Sequence, residues 1–112
     1  MRPNEVENYL RDIARLLKKD GRCLATFFLL NEEQEQLATA GRNKLDFRFG
    51  SHPWRYVYEH SPESASAYNE SYILGLLEEQ HLSLQSPIRY GTWTGRNDGL
   101  SFQDILLLMR KA

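Results

Sequence analysis

Hydrophobic residues divide the first part of the chain into a helix and a strand. From residue 4 to residue 17, apolar side chains recur every three or four positions, as on one face of an α-helix: Val6, Tyr9, Leu10, Ile13, Leu16 and Leu17. Asn4 and Glu7 have the spacing of a capping box, and Gly21 stands where a left-handed turn would end the helix. Residues 23–30 then form an apolar run with Thr26 as its one polar residue, which predicts a central strand buried on both faces.

Shorter patterns after residue 30 predict a capped helix and a hairpin. Asn31 is placed to cap a polar helix over residues 32–40, with Gln34 as its capping-box partner. That helix carries little apolar surface, so we expect it to be exposed. Two short strands are predicted on either side of a Gly-Ser-His-Pro turn at residues 50–53. Their alternating apolar residues are Leu45, Phe47 and Phe49, then Trp54, Tyr56 and Tyr58.

The second half of the chain continues the alternation of helices and strands. Residues 60–67 are rich in serine and alanine and predict a loop, followed by a helix that is capped at Asn69 and ends near residue 80. An alternating segment over residues 82–90, interrupted at Pro87, predicts a strand near a sheet edge. Residues 102–109 predict a last strand that is buried on both faces.

Composition and charge limit the classes of function. The 112 residues suffice for one domain, with a formal net charge of -1. Lys18, Lys19 and Arg22 form the one basic group and lie at a helix end, so we expect no nucleic-acid partner. The sequence has no signal-peptide core and no run of about 20 apolar residues, so we expect no membrane partner. The single Cys23 lies in the apolar run, which favours a reducing, cytoplasmic location.

Three segments of the chain resemble class I S-adenosylmethionine-dependent methyltransferases. Residues 15–22, Arg-Leu-Leu-Lys-Lys-Asp-Gly-Arg, are similar to the family's Arg-Val-Leu-Lys-Pro-Gly-Gly-Arg before its fifth strand. Residues 67–70, Ala-Tyr-Asn-Glu, enter a helix that is followed by His81, where the family usually has glycine. Residues 90–96, Tyr-Gly-Thr-Trp-Thr-Gly-Arg, precede Phe-Gln-Asp-Ile at residues 102–105. This last pair is similar to Tyr-Gly-Ser-Trp-Ser-Gly-Arg and Tyr-Gln-Asp in the type 11/12-like branch of the family.

The resemblance implies an α/β fold that corresponds to the distal half of the family's domain. We expect a partial Rossmann-like methyltransferase sheet, consisting of its last three strands with flanking helices and a small extra hairpin. The family binds S-adenosylmethionine over the carboxyl ends of its first four strands. This chain has no G-x-G pair with which to approach that cofactor. We therefore expect S-adenosylmethionine to be the family's cofactor but not to bind the isolated chain, which we predict to be inactive alone.

The resemblance also implies a partner. In the resembled fold a fourth strand pairs with the strand at residues 23–30, and without it a long apolar edge would be bare. We therefore predict a homodimer across the edge of the strand that starts at Cys23 and ends at Leu30, or association with a complementary N-terminal half. The alternative function is a non-catalytic α/β module for binding or dimerisation.

Five residues are candidates for the side of the fold that faces a substrate: Asn31, Tyr68, Trp93, Arg96 and Asp104. Four of them also have a structural interpretation. Asn31 fits a helix cap, and Tyr68 fits a hydrophobic staple before a helix. Arg96 and Asp104 fit a salt bridge that fastens the last hairpin, and Arg96 also fits contact with a polar or anionic substrate group.

Other polar and aromatic residues have structural interpretations. His52, His60 and His81 lack the spacing of metal ligands, so we predict surface histidines and no metal site. Glu78 and Glu79 are neighbours on a helix and do not face each other, so they make no acid/base pair. The aromatic residues between positions 47 and 58 can stack a flat ligand, but their period of two favours a packed hairpin face.

Overall fold

Three α-helices and six strands make up the fold in the computed structural model, which describes residues 1–111 without the side chains of Ala40 and Arg42. The elements in chain order are α1 (Pro3–Leu16), β1 (Arg22–Leu30), α2 (Glu32–Leu37), β2 (Phe49–Ser51), β3 (Trp54–Tyr56), β4 (Ser66–Asn69), α3 (Glu70–Glu79), β5 (Leu82–Leu84) and β6 (Asp104–Arg110). The strands form one open mixed sheet in the order β2-β3-β4-β1-β6-β5. The predicted α/β class is therefore confirmed.

Helix α1 begins and ends differently from the prediction. Pro3 occupies the first turn, where its fixed φ suits a helix and its missing N–H costs nothing. The capping carboxylate is that of Glu5, whose Oε1 accepts from the backbone N of Arg2 at 2.8 Å, so the predicted Asn4 and Glu7 box is wrong. After the helix, Asp20 and not Gly21 takes the left-handed conformation, with φ 66.

Strand β1 is central, as predicted, but its edge is not bare along its whole length. It pairs antiparallel with β6 from Arg22 to Phe27 and parallel with β4 from Phe28 to Leu30. The segment that forms β4 was predicted as a loop, which is wrong at residues 66–67. Within residues 1–111, no strand adjoins the outer edge of β1 from Arg22 to Phe27.

Two hydrophobic clusters lie on opposite faces of β1. The larger one packs α1 and α3 against the sheet: Val6, Leu10, Ala25, Phe27, Leu29, Tyr68, Ile73, Leu76, Leu77, Leu82, Leu106 and Leu108. The smaller one lies under the carboxyl end of β1, and its buried members are Leu30, Phe47, Ala65, Ala67 and Trp93. The remaining sheet surface is uncovered, because Leu24 is 62% exposed and Thr26 is also exposed. Burial on both faces, predicted for β1 and β6, therefore holds only at the carboxyl end of β1.

The other predicted elements are confirmed with changed bounds, although the side chain of Asn69 makes no capping hydrogen bond at the start of α3. Strands β2 and β3 form the hairpin, although it is shorter than predicted because Leu45 and Phe47 lie outside it. Strand β5 lies at the edge of the sheet, and an isolated bridge joins Arg89 to Ile105 beyond it. Helix α2 ends at Leu37 and a π-helical turn, Ala38–Arg42, follows, where the prediction had one helix over residues 32–40.

Two glycines allow a direct test of this packing. A Cβ at Gly91 would lie 2.3 Å from the backbone O of Phe102, whereas a Cβ at Gly75 would meet no atom within 4 Å. We expect Gly91→Ala to lower the free energy of unfolding by about 2–3 kcal/mol through overpacking. Gly75→Ala, the matched control inside α3, should raise it by about 0.5–1 kcal/mol by restricting the unfolded chain. Urea unfolding followed by circular dichroism measures both, and equal small effects would contradict the close packing at Gly91.

Candidate functional site

A buried carboxylate joins three segments at the carboxyl end of β1. Asp104, the first residue of β6, is fully buried, and its oxygens accept from the backbone N of Leu29 and of Gly91, each at 2.7 Å. The indole Nε1 of Trp93 donates to it at 3.1 Å. Nε2 of Gln34 lies 3.1 Å from both oxygens. The end of β1, helix α2 and the loop before β6 are therefore fastened to one side chain.

The contacts of Asp104 match its charged form. Burial raises the pKa of the Asp104 carboxyl, and the hydrogen bonds from Gly91, Leu29, Trp93 and Gln34 act in the opposite direction. All of these contacts are donors, so a protonated carboxyl would place its own proton against other protons. The charge is thus compensated by backbone and side-chain dipoles, and none of the described cationic side chains contacts it directly.

Arg96 reaches Asp104 only through Gln34, so the predicted salt bridge between Arg96 and Asp104 is wrong. Nη2 of Arg96 donates to Oε1 of Gln34 at 2.7 Å and to Oε1 of Glu33 at 3.3 Å. Its guanidinium lies over the ring of Tyr90, 5.1 Å from the centroid. The prediction that α2 is exposed fails at the same place, because the side chain of Gln34 fills the space between the two charges and is fully buried.

A second polar cluster lies at the point where β1 ends. Nδ2 of Asn31 donates to Oε1 of Glu70 and to the hydroxyl oxygen of Tyr90, each at 3.1 Å. The Tyr90 hydroxyl itself donates to Glu70. Oδ1 of Asn31 accepts from the backbone N of Gln34 at 2.8 Å, so the predicted helix cap is confirmed. The same amide therefore caps α2 and orients a carboxylate and a phenol.

An open cavity of about 450 Å³ adjoins this cluster. Its lining residues come from the end of β1, from α2 and from the start of α3: Leu30, Asn31, Glu32, Glu35, Gln36, Asn69, Glu70, Ser71 and Leu74. Carboxylates, amides and a hydroxyl thus surround it, and Oδ1 of Asn69 is buried without a hydrogen-bond partner. The lining can bind hydroxyl or amino groups of a small polar molecule.

The five predicted site residues do not meet in one pocket. Asn31 lines this cavity, whereas Arg96 lines another opening of about 580 Å³ together with Lys44 and Asn97. Trp93 is 1% exposed, and its ring packs edge-on against Phe47 with centroids 5.1 Å apart.

Tyr68 is a core residue of strand β4 and belongs to the same buried cluster as Ile73 of α3, so the hydrophobic staple before α3 stays a prediction. Its ring packs edge-on against Phe27 at 6.0 Å, and its hydroxyl donates to the backbone O of Met1. Burial raises the pKa of Tyr68 to about 12. Its hydroxyl therefore remains protonated over the whole physiological pH range.

Sequence reasoning missed three residues of this site. Glu70 looked like an ordinary first-turn acid of α3, and Tyr90 like an apolar position of an edge strand. Gln34 was predicted only as the capping-box partner of Asn31, which is wrong because its side chain binds Asp104 and Arg96 instead. The one signal that singled out Asn31, its place after an apolar strand, also points to Glu70, because β4 runs parallel to β1 and ends one residue before it.

No known protein-family model matches the chain, and no solved structure matches it. Within residues 1–111, no group of three or more His, Cys, Asp or Glu residues is placed to hold a metal ion. In the same part of the chain, no helix combines the length and apolar character needed to cross a membrane.

Replacing the Asp104 carboxylate tests its structural role. Asp104→Asn keeps the size of the side chain but turns an NH₂ group toward donors, so buried N–H groups lose their acceptor. We expect the free energy of unfolding to fall by about 2–4 kcal/mol. Asp98→Asn, an exposed aspartate of the same loop region, is the matched control and should change it by less than about 0.5 kcal/mol. Urea unfolding at pH 7 measures both, and similar values would contradict the anchoring role.

The free energy of unfolding should depend on the ionisation of the Tyr90 phenol at high pH. Burial raises the pKa of Tyr90 above its ordinary value, and the neighbouring Glu70 carboxylate raises it further. Because the folded state favours the neutral phenol, this contribution to stability is present below about pH 10 and is lost as the pH rises beyond it. Tyr90→Phe should therefore cost about 1–2 kcal/mol at pH 7 and should flatten the decline above pH 10.

Urea unfolding at pH 7 and at pH 10.5 measures this difference. Tyr58→Phe serves as the control, since Tyr58 is 52% exposed. A Tyr90→Phe variant that loses stability above pH 10 as steeply as the unmodified chain would contradict the assignment.

Proposed function

We propose that this chain is the acceptor-side part of a domain related to S-adenosylmethionine-dependent methyltransferases, and that it transfers no methyl group alone. The strand order supports this proposal. Strand β6 lies between β1 and β5 and is antiparallel to both. An antiparallel last strand inserted between two parallel neighbours is the arrangement expected of the distal half of that fold.

The observation that carries the proposal is the polar cluster at the carboxyl end of β1. Open α/β sheets bind their ligands outside the carboxyl ends of the strands. Asn31, Glu70 and Tyr90 lie there, next to the open cavity. We propose that this cavity receives the molecule that is to be methylated.

The chemistry of the lining supports a small polar acceptor. Glu32, Glu35 and Glu70 supply carboxylates, and Asn31 and Asn69 supply amide groups. Such groups favour hydroxyl and amino groups over carboxylates or phosphates. We place the reaction in the cytoplasm, in keeping with the single half-buried Cys23.

The absence of a G-x-G pair from the sequence supports the second half of the proposal. Methyl transfer depends on holding a nucleophile in line with the sulfonium methyl, so binding and orientation of the cofactor are most of the catalysis. The glycines, at positions 21, 41, 50, 75, 91, 95 and 99, supply no such loop. A cofactor-binding part outside these 112 residues would have to supply it.

Amide NMR of the purified chain tests both halves of the proposal. S-adenosylmethionine at millimolar concentration should leave the spectrum unchanged. A panel of small amines and polyols should include compounds that shift the backbone amides around Asn31 and Glu70 with saturation. The Ser71→Phe variant, which fills the cavity, should abolish those shifts, whereas Glu79→Phe at the other end of α3 should not.

Each outcome bears on one half of the proposal. Saturable binding of S-adenosylmethionine would contradict the expectation that the isolated chain lacks a cofactor site. A panel that gives no shift near Asn31, or shifts that Ser71→Phe does not remove, would contradict the acceptor site.

A further inference from the structure

We propose that two copies of this chain associate by antiparallel pairing of their β1 strands, centred on Leu24. The proposal does not depend on the methyltransferase relationship. It rests on the open half of the β1 edge, on the apolar groove beside that edge and on the charges at its two ends.

The pairing pattern shows which backbone groups of β1 are free. Ile105 exchanges both of its hydrogen bonds with Arg89, on the side of β6 away from β1. Thr26, the residue of β1 opposite Ile105, therefore directs its N–H and C=O away from β6. Because such positions alternate along an antiparallel pair, Leu24 and Arg22 also direct their backbone groups away from β6. Strand β4 reaches only Phe28–Leu30, so no described residue pairs with these groups.

This open edge is complementary to itself. In a twofold arrangement about Leu24, Arg22 of one copy lies opposite Thr26 of the other, and Leu24 lies opposite Leu24. All of these residues direct their backbone groups outward, so every pair can exchange both hydrogen bonds. Other antiparallel registers use fewer of the three residues.

Apolar surface flanks the edge on both faces of the sheet. On one face, Leu24 is 62% exposed, beside its cross-strand neighbour Leu107. On the other face lies a groove of about 300 Å³ between α1 and β1, lined by Tyr9, Asp12, Ile13, Leu16, Leu17 and Cys23. A second β1 strand would cover both surfaces, and its residues Cys23 and Ala25 would be on the groove side.

Charged groups lie at both ends of the open edge. The edge ends in a cleft between β1 and β4, where Glu63 and Arg2, both half exposed, form an ion pair at 3.1 Å. Antiparallel pairing about Leu24 brings the turn that precedes the partner's β1 strand to this cleft. That turn carries Lys18, Lys19 and Asp20, all exposed. Each member of the Arg2–Glu63 pair can therefore meet an opposite charge of the second copy at both ends of the symmetric interface.

The first test is the mass in solution. Sedimentation equilibrium at tens of micromolar should give twice the mass of one chain. Leu24→Lys places two ammonium groups at the twofold axis and should raise the dissociation constant roughly a hundredfold or more. Leu100→Lys, which changes a 76% exposed leucine in the loop before β6, is the matched control and should remain dimeric.

The second test fixes the register. In a background with Cys23→Ser, a Leu24→Cys variant should form a disulfide between copies under mild oxidation, because Cα atoms of such a pair lie about 5.5 Å apart. Thr26→Cys in the same background should not, since Thr26 would lie opposite Arg22. Amide exchange supplies a readout of folding: the Leu24 and Thr26 amides should be protected in the dimer and exchange rapidly in Leu24→Lys. Ala25, bonded to β6, should stay protected in both.

Three results would overturn the proposal. A monomeric mass for the unmodified chain is one, including a monomer that gains mass only when a different polypeptide is added. A dimer that Leu24→Lys leaves intact is another. The third is a dimer cross-linked through Thr26→Cys but not through Leu24→Cys.

Discussion

The buried carboxylate of Asp104 is the interaction on which the polar end of the molecule depends. It is the common acceptor for Leu29 in β1, for the loop residues Gly91 and Trp93, and for Gln34 in α2. Without this acceptor, several buried N–H groups would lie in an apolar surrounding with no partner, each at a cost comparable to a lost hydrogen bond. The carboxylate therefore determines the positions of segments far apart in the sequence.

The geometry of the candidate site depends on the Asp104 carboxylate. Gln34 is held by Asp104 on one side and holds Arg96 on the other. Its backbone N is bound by Asn31, whose own amide orients Glu70 and Tyr90. The polar groups around the cavity thus rest on strand β1 and on two helices, which fixes their directions better than a loop alone would.

The spacing of apolar residues predicted the long helices and strands, but it could not predict features that follow no regular spacing. Helix α1, strand β1 and helix α3 follow from their apolar spacing. Strand β4 escaped because four residues with serine and alanine look like a loop until a neighbour pairs with them. The apolar run of β1 predicted burial but could not say what covers each face, and Leu24 is open.

The candidate site was predicted only in part for a similar reason. Asn31 was identifiable from its place after a strand. The separation of Arg96 from Asp104 was not, because opposite charges near each other in sequence look like a salt bridge. Only the packing shows that the neutral Gln34 lies between them. A polar residue that is buried because it binds a charged residue far away in the sequence leaves no local pattern in the sequence.

The two hydrophobic clusters lie on opposite faces of β1, and this affects the register of β1 relative to its neighbouring strands. A strand with one polar face cannot slip by a residue without exposing its apolar side chains, but residues 27–30 of β1 are all apolar and carry no such alternation. A slip would exchange Leu29 for Leu30 and Phe27 for Phe28 at little hydrophobic cost. It would, however, turn the N–H of Leu29 away from Asp104. One polar contact at the strand end thus selects a single alignment among several that the apolar residues alone would accept.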